Sequence, residues 1–330
     1  MTYALSSMSM APALGKMVVL GLLTSRVQSF STFRSKSLIK LASRAASTSV
    51  AAASSVDNAF DGFSHKVAFC FPGQGAQYVG MCKDVVETVP KAAELFDEAS
   101  KILGYDLLDR CINGPADVLD TTAVSQPAIF VASMAAVEKF RLENGDDATN
   151  DATVAMGLSL GEYSALCYAG AISFEDGVRI TKVRGEAMQA ASELVDSGMV
   201  SVIGLDKAKV GEICQAASER SGKQVQVANF LCNGNYAVSG DASACEVVEE
   251  IAKPDFGARM TVRLAVAGAF HTNFMASAVE PLEKILETVE VKAPRIPVIS
   301  NVDAKAHSDP GNVYPSCLLR KYAFEFMLWL

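Results

Sequence analysis

The sequence predicts an α/β fold: a parallel sheet layered with helices, interrupted by a smaller ferredoxin-like unit. Three observations carry this. The chain has 330 residues, half of them hydrophobic and a fifth charged, enough to bury a sizeable core. Through its first half, short apolar runs that end in turns alternate with helically spaced stretches, the pattern of strands joined by crossover helices. From Val200 onward, strand and helix signals follow the order β-α-β-β-α-β within about seventy residues, the ferredoxin-like order.

The N-terminus reads as an address rather than as fold. Residues 1–56 are rich in Ser and Ala, and Lys16, Arg26, Arg34, Lys36, Lys40 and Arg44 all precede Asp57, the first acidic residue. That composition is typical of a transit peptide. The apolar run Met17 to Leu23 follows Lys16; it has the length of a secretory h-region and is far short of the roughly 20 residues of a spanning helix. A signal-like run before a basic, Ser-rich stretch resembles the two-part presequences of algae with secondary plastids, with Val27-Gln28-Ser29-Phe30 similar to their cleavage sites. The expectation is a presequence over 1–62 and a plastid location, with the mitochondrion as the alternative.

Val67 to Phe71 is apolar and ends at Pro72-Gly73, which predicts a buried strand opening into a turn. Val85 to Leu103 and Pro127 to Phe140 have helical spacing, with Pro127 suited to a first turn. Thr153 to Met156 is a second short strand, followed by helices over Leu160–Tyr168 and Phe174–Ala191. Strands are expected at Val200–Gly204, Val225–Phe230, Tyr236–Ser239 and Met260–Leu264, with helices at Lys207–Glu219 and Ala242–Ala252. A last core strand falls at Pro297–Ser300. The domain expectation is therefore a large core over 63–194 and 264–330, with a small subdomain over 195–263.

Composition excludes some functions. Without the six early basic residues, 23 Lys and Arg stand against 37 Asp and Glu, a net charge of −14. So acidic a body is a poor non-specific binder of nucleic acid. The eight cysteines are scattered with no CxxC pair, which argues against zinc or a disulfide framework and for small buried hydrophobes.

The chemistry centres on Gly157-Leu158-Ser159-Leu160-Gly161, a G-x-S-x-G element between an expected strand and helix. Glycines beside the serine permit a sharp turn that projects Oγ above the sheet edge. The following helix N-terminus offers N–H groups to a developing oxyanion. The alternative is a structural turn serine. A serine nucleophile needs a base, and the chain has three histidines. His65 lies at the presequence boundary. His307 lies in the polar loop Lys305 to Asp309, where it reads as solvated. His271 follows Ala267-Gly268-Ala269-Phe270, a segment small enough to pack closely against another backbone. Alone it reads equally as a base or a satisfied core histidine; the weakness of its two competitors favours the base. Phe71 to Gln77 (FPGQGAQ) places two glycines where a strand meets a loop, yet lacks the Gly-Lys-Ser/Thr of a Walker motif, so nucleotide binding is not expected.

Phe71 to Gly75, Gln126-Pro127-Ala128, GLSLGEYSAL over 157–166, Val183 to Met188, Gly268 to His271 and Asn301-Val302-Asp303 occur here in order. They resemble the motifs of malonyl-CoA:acyl carrier protein transacylases, over roughly residues 66–305. The resemblance implies a hydrolase-like α/β core with a parallel sheet and an inserted ferredoxin-like subdomain. It implies malonyl transfer from malonyl-CoA to acyl carrier protein, feeding type II fatty acid synthesis, by a monomer without metal or cofactor and with no membrane partner. By motif, Ser159 resembles the acylated nucleophile and His271 its base. The N–H groups of Gln74 and Leu160 would form the oxyanion hole, and Arg184 would pair with the malonyl carboxylate. Gln126 and Asn229 would line the site. Relatives often have His at the position of Leu158. They also continue well beyond the Asn-Val-Asp segment, with a Gly-Pro-Gly turn that this chain lacks. The alternatives are therefore a truncated, weakly active or non-catalytic form that only binds CoA esters or carrier protein, and a related serine thioesterase.

Overall fold

In a computed structural model of the chain, residues 16–19, 67–264, 266–312 and 326–327 are described. The rest of the presequence, with His65, lies outside the described residues, as do 313–325. Strand β1, Lys16–Val19, runs parallel to β2, Val67–Phe71. The sequence assigned Lys16–Val19 to an address; the structure seats it as a strand along one edge of β2.

The apolar stretch from Val85 to Leu103 is two helices rather than one, α1 at Lys83–Thr88 and α2 at Pro90–Leu103. Pro90 forces the residue before it out of helical space: Val89 is extended, with φ −123° and ψ 98°. Helix α2 buries Ala92, Leu95, Phe96, Ala99 and Leu103. Short helices α3 (Leu107–Asn113) and α4 (Ala116–Leu119) lead into α5, Thr122–Asn150, which is broken at Gly145 by a φ of 85°. Pro127 therefore sits inside α5 and not in its first turn. The start lies earlier because the first turn of α5 packs on the next long helix. A Cβ on Gly185 there would come within 2.6 Å of the Thr122 carbonyl.

Strand β3 (Val154–Gly157) precedes α6 (Gly161–Tyr168) and α7 (Phe174–Ser192). The second sheet then forms from β4 (Ser197–Ile203), β5 (Val225–Cys232), β6 (Asn235–Asp241) and β7 (Met260–Arg263). Helices α8 (Lys207–Ser221) and α9 (Ala242–Ile251) are interleaved with them. Its order is β7-β4-β6-β5 with antiparallel pairs, the ferredoxin-like arrangement, and β9 (Phe326–Met327) pairs parallel to β5. A 3₁₀ turn at Asn273–Ala278 and α10 (Val279–Leu286) return the chain to β8 (Val298–Ile299).

The parallel sheet runs β1-β2-β3-β8. Its register decides where the site can lie. Phe71 is level with Gly157, and Met156 with Ile299. The loops after β2, β3 and β8 therefore leave side by side from the carboxyl edge, the usual ligand edge of such sheets. The larger apolar core joins Phe69, Phe71, Phe96, Phe130, Tyr163 and Tyr168, and reaches Ala228 and Ala237 of the second sheet. A separate cluster, with Val200, Val210, Ile213, Val238 and Val248, fills the other face of that sheet. Both faces of β4 and β6 are thus covered.

Candidate active site

Ser159 stands between β3 and α6 with φ 49°, a left-handed conformation that costs a non-glycine residue about 1–3 kcal/mol. Its neighbours allow the turn. A Cβ on Gly157 would collide with the Gly161 carbonyl group, and one on Gly161 with the Phe71 carbonyl oxygen. The backbone is tied throughout: Leu158 N–H donates to Phe71 O at 3.1 Å, and Gly161 N–H to Leu158 O at 2.8 Å.

His271 also has a left-handed backbone, φ 61°, and is buried. Its loop is fixed by Ala269 N–H donating to Ser197 Oγ (3.0 Å) and Thr272 Oγ1 donating to Ala269 O (2.7 Å). Gly268 lies against α7, where a Cβ would come within 2.6 Å of Ser192 Cβ. From this loop His271 Nε2 reaches to 3.1 Å from Ser159 Oγ.

Arg184, on α7, is 2% exposed. Its Nη1 donates to Gln126 Oε1 at 2.6 Å and its Nη2 to Ser159 Oγ at 3.1 Å, while the guanidinium lies 5.4 Å from the Tyr163 ring centroid. A guanidinium N–H can only donate, so Oγ accepts there and its own proton can point at His271 Nε2. That arrangement requires the tautomer with Nε2 unprotonated, the form that can take the hydroxyl proton.

The Gln74 loop closes the opposite side. Gly73 packs so near that a Cβ would lie 2.6 Å from Leu158 O, and Gln74 Nε2 donates to Thr122 Oγ1 at 3.2 Å. Among the described residues, the backbone N–H groups of Gln74 and Leu160 donate to no acceptor. Asn229 is buried on β5 in the second sheet. A bulge sets Ala228 and Asn229 together opposite Ala237, which turns Asn229 toward the large core, as Ala237 is. Its Oδ1 has no hydrogen-bond partner among the described residues, and no bond joins it to Ser159, His271 or Arg184.

Two residues without an expected role lie at the elbow. Ser159 N–H donates to Asn301 Oδ1 at 2.7 Å, and Asn301 N–H to Glu162 Oε2 at 3.1 Å. Both are fully buried. Asn301 and Glu162 each carry a motif match as their only signal, in Asn301-Val302-Asp303 and in GLSLGEYSAL over 157–166. His307 departs from its expected solvation. It is half-buried and within 3.1 Å of Asp303 Oδ2, because the loop after β8 folds back on itself. Burial opposes the Asp303 charge, yet bonds from His307 and Lys305 N–H outweigh it and hold the carboxyl below its usual range. Burial pushes the Cys82, Cys167 and Cys214 thiols up to about 12, so they stay protonated and are poor nucleophiles. Among the described residues no group of three or more His, Cys, Asp or Glu could hold a metal ion, and no helix is long and apolar enough to cross a membrane.

Residues 68–316 match the family described as "Acyl transferase domain". The mitochondrial malonyl-CoA-acyl carrier protein transacylase of Homo sapiens is 41% identical over 251 residues, covering 74% of this chain and 63% of that protein. The chain thus spans less than two thirds of that relative's length. The Bacillus subtilis (strain 168) malonyl CoA-acyl carrier protein transacylase is 39% identical over 258 residues, covering 78% and 79%. Among solved structures, the Coxiella burnetii malonyl CoA-acyl carrier protein transacylase superposes with a TM-score of 0.73 at 33% identity, covering 78% of this chain and 79% of that one. A malonyl-transacylase solved in complex with its type II PKS acyl-carrier protein gives 0.72 at 33% identity, covering 78% and 81%. By these matches, the chain belongs to the malonyl-CoA:acyl carrier protein transacylase family.

Proposed function

We propose that the chain moves a malonyl group from malonyl-CoA to the phosphopantetheine thiol of acyl carrier protein through an acyl-enzyme on Ser159. The observation that carries this is a single serine oxygen set between the His271 imidazole and the buried Arg184 guanidinium. His271 takes the hydroxyl proton as Oγ attacks the thioester carbonyl. The N–H groups of Gln74 and Leu160 receive the developing oxyanion, each such donor being worth about 3 kcal/mol. Collapse expels the CoA sulfur, which leaves with the proton from His271. The carrier thiol then gives its proton to His271, attacks the acyl-serine carbonyl, and Ser159 recovers its proton.

Arg184 selects the acyl group. Its planar guanidinium can hold a free carboxylate at two points, which a lysine cannot, and Gln126 fixes its orientation through Nη1. Asn229, buried on β5 with an unbonded Oδ1, is proposed to line the same site from the second sheet. The names of the relatives and the carrier-protein complex among the similar structures support this substrate pair. The test is to incubate the purified chain with malonyl-CoA and read Ser159 by mass spectrometry, with and without carrier protein. Malonylation that is discharged to carrier protein is the expected result. Release to water without carrier protein would make the chain a thioesterase, and an unlabelled Ser159 would leave only ligand binding.

Residues 1–62 are proposed to direct import into a plastid; relatives carry mitochondrial names. A reporter fused to residues 1–64 should enter plastids, and mitochondrial fluorescence would overturn that address.

A further inference from the structure

Resting on that reading of Ser159, we propose that Asn301 is a positioning residue for acyl transfer, its side-chain amide clamping the two peptide groups that flank Leu158. Its Oδ1 accepts from Ser159 N–H at 2.7 Å, and its Nδ2 donates to Gly157 O at 2.8 Å. One planar amide thus satisfies both open backbone groups of the elbow, leaving Leu158 N–H to Phe71 O. The clamp acts in two ways. It holds Ser159 at φ 49°, which sets the direction of Oγ toward His271. It also occupies Ser159 N–H, so that this donor cannot compete with Leu160 N–H for the oxyanion, and the hole is built from Gln74 and Leu160.

The clamp is itself anchored. Asn301 follows β8, whose register places it at the same sheet edge as the elbow, and its backbone N–H donates to Glu162 Oε2 in the first turn of α6. Elbow, helix start and the loop after β8 therefore close a ring of hydrogen bonds through one side chain 142 residues from the serine. Asn is the fitting residue: an aspartate would offer two acceptors and repel the Gly157 carbonyl, and a glutamine is one methylene too long for both bonds.

The experiment compares the full chain with its Asn301→Ala, Asn301→Asp and Ser159→Ala variants in malonyl transfer, alongside titration of reactive serine by a phosphonate. Asn301→Ala should lower kcat about a hundredfold, the scale of a misplaced catalytic group, with KM for malonyl-CoA within about twofold. The titratable fraction should be unchanged. Asn301→Asp gives a signature that a merely structural role would not. Its protonated carboxyl can donate to Gly157 O while accepting from Ser159 N–H, whereas its ionised form cannot donate. Burial raises its pKa, and Glu162 faces it from α6. His271 and Arg184 beyond Ser159, and Asp303 and His307 in its own loop, are common to both proteins and cancel in the ratio. Activity of Asn301→Asp relative to the parent should therefore rise as pH falls, by up to about tenfold per unit above that pKa. Should Asn301→Ala fold poorly, this ratio still decides. A kcat within about threefold for Asn301→Ala, or a flat ratio with pH, overturns the clamp. Retained transfer by Ser159→Ala would instead overturn the nucleophile reading, leaving the two failures distinguishable.

Discussion

The two sheets of this protein obey local rules to different degrees. In the second sheet and its helices the rules hold almost throughout. Asp206 caps α8 by accepting from Lys209 N–H, Gly222 ends that helix with φ 69°, and Asp241 caps α9. Around the parallel sheet they are broken repeatedly. Of the described residues, the four non-glycines with positive φ are Cys82, Ser159, His271 and Ala304, and none lies between β4 and β7. The buried Glu162, Arg184 and His271 also belong to the first region. Strain and buried ionisable side chains gather where the chemistry is proposed, which is where a consistent sequence is expected to depart from its own rules.

That division can be broken or sharpened by substitution. Gly157→Ala should have the largest effect, because its Cβ meets backbone at Gly161 and Glu162. Transfer should fall at least about a thousandfold in steady-state assays, beyond the cost of any one oxyanion donor. Arg184→Ala comes next: malonyl transfer should fall about a hundredfold, the loss of a charge-assisted bidentate contact, and acetyl transfer far less. Equal losses would show that Arg184 does not read the carboxylate. Gly240→Ala tests the second sheet, where a Cβ would come within 2.5 Å of Val225 Cα. Overpacking there should cost about 2–3 kcal/mol in denaturant melts, with kcat per folded molecule unchanged. Smallest is Asp206→Ala, losing about 1 kcal/mol for a removed cap without a kinetic effect. A kinetic defect from either of the last two, without lost stability, would end the division of labour.

Legibility in the sequence followed the same line. The ferredoxin-like unit was readable strand by strand because its period, caps and turns are local. Ser159, Arg184 and Gln126 were readable from ordered motifs, and His271 from the weakness of its two competing histidines; the structure brings these four together. The single helical stretch expected over Val85–Leu103 is split because Pro90 forces Val89 out of helical space, and Pro127 falls inside α5 because the packing of its first turn on α7 sets an earlier start. The bonding roles of Asn301 and Glu162 were not legible although both lie in matched motifs, for a different reason. Each has an unremarkable local setting, and its meaning arises from a bond spanning more than a hundred residues of chain. His307 looked solvated because a polar segment gives no hint that it will curl onto its own Asp303.

The contact between Gly268 and Ser192 has a consequence for anyone wishing to retune acyl preference. The helix that ends at Ser192 also carries Arg184, and the loop that begins at Gly268 carries His271, so the proposed carboxylate-reading and proton-transferring groups share one mechanical support. Shifting this helix to admit bulkier acyl groups beside Ser159 would drag the imidazole along. Variants that trim side chains around Ser159, leaving the helix in place, offer the route that keeps turnover while changing what is turned over.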